Sequence, residues 1–197
     1  MADLTTSGTH EASLAASTFA LVAANLLTIA AALWFDMRLK ELFLVYWVQG
    51  VMIGIAFVVR LVFWIWRKSR DKPDDFFYVL FFLLHYGFFQ LMYLLFLGKP
   101  AGGFVLFGGF GLCVLAFALS HAYSLWHSIR HDQAGNADVR TLFWMPYVRV
   151  LPMVLTVIFG DQLANAGGLL LFGAFKTVTD VLMHVVEHHI LRAHVSR

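Results

Sequence analysis

The sequence predicts an all-α membrane protein, a bundle of six transmembrane helices, on three observations. Of its 197 residues 60% are apolar and only 13% charged, whereas a soluble domain carries roughly 25% charged residues. The apolar residues gather into six stretches, each close to the roughly 20 residues that cross a bilayer. Its 20 Phe and 6 Trp suit a lipid-facing exterior edged by aromatic belts.

Each stretch has its own signature. The first, 14–35, follows a polar tail, 1–13, that contains Asp3 and Glu11 and no Lys or Arg. Without a positive n-region, and long for an h-region, it is expected as an uncleaved first helix. The second, 42–66, opens on a polar-aromatic patch, Tyr46, Trp47 and Gln49, suited to an interior face. The third, 76–97, carries His85. The fourth, 103–126, is glycine-rich at its start, with Gly102, Gly103, Gly108, Gly109 and Gly111. No strand precedes these glycines and no phosphate-reading Lys follows, so they indicate close helix packing rather than a nucleotide loop. The fifth, 142–161, holds Arg149 between Pro146 and Pro152, which can kink a helix and free carbonyls. The sixth, 165–190, contains Lys176, Asp180, His184 and His188.

The joining segments, Asp36–Glu41, Arg67–Asp75, Gly98–Gly102, His127–Thr141 and Gly160–Ala164, are too short for a separate soluble domain. One transmembrane domain, 14–190, is therefore expected between the tails 1–13 and 191–197. A formal charge of +2 and no basic patch exclude nucleic acid as a partner. The single Cys113 excludes a disulfide framework. The lipid bilayer is the expected partner, and self-association into a homo-oligomer is left open.

Orientation follows from Lys and Arg placement. Arg67, Lys68, Arg70, Lys72, Arg130, Arg140, Arg192 and Arg197 fall on one side, and Arg38, Lys40 and Lys99 on the other. Eight against three places both termini in the cytoplasm. At 1.5 Å per residue, His85 then lies roughly 13 Å inside the membrane. His121, Arg149, Asp180 and His184 occupy the same cytoplasmic half of the bilayer. Ionisable groups at that depth are expensive toward lipid, so all five are expected to converge on the interior.

The sixth stretch carries the strongest signal. Lys176, Asp180, His184 and His188 recur every fourth position, and each step advances about 40° around a helix. Asp180 and His184 can reach one ion, with His85 and His121 completing the ligand set. Mixed His/carboxylate ligation suits zinc, ferrous iron or manganese. Arg149, Lys176, Glu187 and His188 would stand behind it as charge partners or relays. Two plainer readings stay open: polar glue between helices, and a proton or ion path through Asp180 and His184.

The motifs Tyr46-Trp47-Val48-Gln49, His85-Tyr86-Gly87-Phe88-Phe89, Ser120-His121-Ala122-Tyr123-Ser124, Pro146-Tyr147-Val148-Arg149-Val150 and Lys176-Thr177-Val178-Thr179-Asp180 with His184 resemble a family of bacterial integral-membrane proteins of unknown function. The likeness runs from Asn25 to His188. It implies a bacterial inner-membrane protein and supports grouping His85, His121, Arg149, Asp180 and His184. It also implies an acid in many relatives where this chain has Gln49, and histidines where it has Tyr93 and Val154. The resemblance implies no activity.

The expectation is therefore a metal-binding membrane protein, with His85, His121, Asp180 and His184 as ligands and a lipid or small apolar molecule as substrate if it is an enzyme. The alternatives are a proton-coupled transporter or permease with Asp180 and His184 as relay, and a haem-b electron carrier with two axial His ligands.

Overall fold

The computed structural model describes residues 2–68, 73–98, 108–130, 143–144, 146–151, 154 and 166–193, and every described element is helical. Helix α1 is Ala2–Trp34, α2 Leu39–Lys68, α3 Pro73–Leu97 and α4 Gly109–Arg130. A short helical segment at 146–151, α5, precedes α6, Ala166–Ala193. Among the described residues, three stretches, Leu39–Arg67, Phe76–Leu97 and Gly109–Arg130, are long and apolar enough to cross a membrane, while the apolar part of α1, Thr18–Trp34, is shorter. The 160–164 turn and Pro152 lie outside the described residues.

The helix ends are set by local chemistry. Helix α1 stops where Asp36 takes a left-handed backbone, φ 49°, and the Met37 N–H donates to the Ala32 carbonyl at 2.8 Å, a Schellman-type closure. Two residues on, Glu41 Oε2 accepts from the Arg38 N–H at 3.1 Å, the return half of a capping box that starts α2. Gly98 and Gly108, with φ of 67° and 89°, supply left-handed turns after α3 and before α4, where glycine carries no Cβ penalty.

Helix α2 is central. It packs on α3 and α4, while α1 packs on α4 and α6. Its residues 42–46 are buried all round. Phe43 and Tyr46 meet Phe172 of α6 edge-on, with ring centroids 5.0 and 5.3 Å apart, so α6 closes back onto α2. Small residues permit the close approaches. A Cβ on Gly109 would come within 2.8 Å of the Phe35 ring, and one on Gly173 within 2.8 Å of Ile29. At Gly109 the glycine-rich run thus serves helix packing.

Two apolar clusters result. One centres on Leu42–Tyr46, Cys113, Phe117 and Phe172, and the other on Phe57, Leu61, Val79, Phe82 and Tyr86. Along α2, Gln49 falls between them. Outside, Phe76, Leu84, Phe88, Leu91 and Leu95 of α3 are exposed, the pattern of a helix whose solvent is hydrocarbon.

Candidate functional site

Buried residues of α6 recur every fourth position, Gly168, Phe172, Lys176, Asp180 and His184, with Gly173 buried beside Phe172. The start of this drifting line packs on aromatic rings, and its middle meets Gln49 of α2. Lys176 Nζ donates to Asp180 Oδ1 at 2.5 Å, with both side chains 1% exposed. Gln49 Nε2 donates to Asp180 Oδ2 at 2.9 Å. Each carboxylate oxygen is thus held, one by a cation of its own helix and one by an amide of another. Lys176 Nζ also lies 5.6 Å from the centroid of the Tyr46 ring, a cation–π distance. Desolvating both charges costs several kcal/mol per ion, which only such close geometry offsets.

Further ionisable groups surround the pair. His184 and Arg149 are buried. His121 extends the Gly109–Cys113–Phe117 line of α4, its ring stacked on Phe117 at 6.4 Å. Its Nε2 is buried without a hydrogen-bond partner, and it lies in the electrostatic field of Arg149, Asp180, Lys176 and His184. The structure therefore brings together His121, Arg149, Lys176, Asp180 and His184. The side chains of Glu187 and His188 lie outside the described residues.

His85 is placed elsewhere. It is exposed on the flank of α3, its Nδ1 2.9 Å from the Tyr147 hydroxyl. Its ring is stacked on Phe81 and edge-on to Phe89, both at 5.1 Å. The reason is rotational. The inward line of α3 is Val79, Phe82, Tyr86, Gln90, Tyr93 and Leu97, and at 100° per residue His85 stands about 140° around from Gln90.

Among the described residues no group of three or more His, Cys, Asp or Glu side chains is gathered to hold a metal ion. The Lys176 ammonium sits against Asp180 where a cation would have to bind. The expected zinc, iron or manganese ligand set draws no support from this arrangement.

Gln90 is the residue that sequence reasoning passed over. It is buried, and neither atom of its amide has a hydrogen-bond partner. One polar amide in a stretch otherwise apolar but for His85, three residues before Tyr93 and four after Tyr86, was the available signal. Its backbone carbonyl accepts from Trp47 Nε1 at 2.9 Å, and the Tyr86 hydroxyl donates to the Gly50 carbonyl at 2.8 Å. Asn25 and Thr28 of α1 are also fully buried, and each donates back to its own helix, to Leu21 O and Ala24 O, while the Asn25 Oδ1 is left without a partner.

Beside this layer, α3 and α5 leave a cleft of about 320 Å³ whose lining includes Tyr86, Tyr93, Phe96, Tyr147, Val150 and Val154. Tyr93 and Val154, the two positions where the resemblance implies histidines, both face it.

No curated protein and no solved structure matches the chain. A family model, described as a family of unknown function, DUF6498, matches residues 8–195, and the chain accordingly belongs to that family.

Proposed function

We propose that this is a membrane protein that carries protons through a buried polar layer, a proton-coupled transporter or permease. In it Lys176 and Asp180 exchange a proton, while His184 and His121 pass it on. The observation that carries this reading is the Lys176–Asp180–Gln49 contact, closed off from solvent. In a low-dielectric interior an ion pair and its neutral, proton-shifted form lie closer in energy than in water, because separated charge is penalised. A hydrogen bond already spans the two groups, so the transfer needs no rearrangement. The Gln49 amide donates to Asp180 in either state and holds it in place. His121, with an unengaged Nε2, presents a ring nitrogen that can accept or donate a hydrogen bond along such a path. Intramembrane ionisable groups of this kind mark proton and ion pathways.

On this reading the protein sits in a bacterial inner membrane with both termini cytoplasmic, as the Lys and Arg bias suggests. Reporter fusions after Lys72, Lys99 and Arg197 should then report inside, outside and inside.

The proton reading is tested in proteoliposomes with a pH dye inside and an imposed membrane potential. Wild-type protein should accelerate proton influx, and Asp180→Asn should return it to the protein-free rate. Wild-type vesicles no faster than empty ones, or Asp180→Asn vesicles as fast as wild type, would remove the proposal.

A further inference from the structure

The α3–α5 cleft, at about 320 Å³, has the size at which cavities for small molecules begin, roughly 300 Å³. Phe89, Met92 and Phe96 on its rim are exposed, so it is reached from hydrocarbon rather than from water. Three tyrosines line it, and their hydroxyls differ. That of Tyr86 is engaged by the Gly50 carbonyl, and that of Tyr147 by His85 Nδ1. The Tyr93 hydroxyl, on a side chain only 7% exposed, is buried with no hydrogen-bond partner. Leaving it so is costly. A pure hydrocarbon occupant would not relieve that cost, whereas an occupant with one oxygen or nitrogen at its end would. The Gln90 amide, three residues away on the same helix face, is likewise buried without a hydrogen-bond partner.

We infer that the cleft is a binding site for a small amphiphile taken from the bilayer, an apolar body ending in a single hydrogen-bonding group such as an alcohol, phenol or carbonyl, seated on the Tyr93 hydroxyl. Lys176, Asp180 and His184 are not among the lining residues, so the site stands whether or not that pair moves protons.

The test uses the intact protein in phosphatidylcholine vesicles and two photoreactive probes, a diazirine-bearing decanol and the matching decane. Decanol should label residues 86–96 and 147–154 saturably, and unlabelled decanol should displace it where decane does not. Tyr93→Phe should weaken decanol binding about fivefold, the value of one hydrogen bond, and leave decane labelling unchanged. Val150→Trp, which fills the cleft, should remove saturable labelling while the Tm is kept. Equal or non-saturable labelling by the two probes would mean that bulk acyl chains occupy the cleft, and the inference would be overturned. Saturable decanol labelling unchanged by both substitutions would overturn it as well.

Discussion

Two histidines of similar depth in the sequence end in opposite settings. His184 of α6 is buried one turn from a Lys–Asp pair, whereas His85 of α3 lies exposed among Phe81, Phe89 and Tyr147. Both sit in apolar helices, and neither position is marked by hydropathy. What separates them is rotation about the helix axis, which is decided by what each helix packs against. The inner layer is held by charge and amide hydrogen bonds, the outer flank by aromatic edges and faces. The first is intolerant of losing one partner, and the second loses little with any single ring.

The sharpest way to break this contrast is to remove one partner of the pair. Asp180→Ala leaves the Lys176 ammonium buried alone and should cost about 3–5 kcal/mol, read as a lowered Tm in detergent. Lys176→Met with Asp180→Leu removes both charges and should recover all but about 1 kcal/mol. If the double variant were as unstable as Asp180→Ala, the pair would not be what makes the layer sensitive.

Gln49→Leu takes away only the interhelical donor to Asp180. A hydrogen bond to a charged group contributes about 1.5–3 kcal/mol, and chemical denaturation in micelles should show a loss in that range. The seam between α2 and α3 offers a third measure. A Cβ on Gly54 would come within 2.5 Å of the Tyr86 ring, while one on Gly87 meets open space. Gly54→Ala should therefore cost about 1–3 kcal/mol through overpacking. Gly87→Ala should be neutral or stabilising by up to about 1 kcal/mol. Equal effects at the two glycines would contradict the close approach of α2 and α3.

The smallest effect belongs to the outer flank. His85→Phe keeps the ring contacts and loses one exposed hydrogen bond, so its stability should stay within about 0.5 kcal/mol of wild type. A loss as large as that from Asp180→Ala would place His85 in the inner layer after all.

The contrast also shows which features the chain displays in one dimension. The Lys176, Asp180 and His184 line was legible because buried charge is rare enough to stand out and its fourfold spacing names a face. The inward placement of Tyr46 and Gln49 was legible on similar grounds, polarity at the start of an apolar run. The facing of α3 was not, since Phe, Leu and Tyr occupy both its sides and no polar stripe opposes them. Gln90 alone marked the inner side, and a single residue gives a direction only once a second one confirms it. The cleft was invisible for another reason: it is lined by residues of α3 and of the 147–154 segment together, a pairing that no local pattern encodes.

Asp180 has one partner that travels with it and one that does not. Lys176 shares its helix, so any slide or turn of α6 carries both together. Gln49 belongs to α2 and stays behind. A shift of one residue, about 1.5 Å along the axis and 100° around it, would leave the first contact whole and sever the second. The carboxylate is thereby a gauge of helix register, and whatever alters its hold on Gln49 alters where α6 rests against α2.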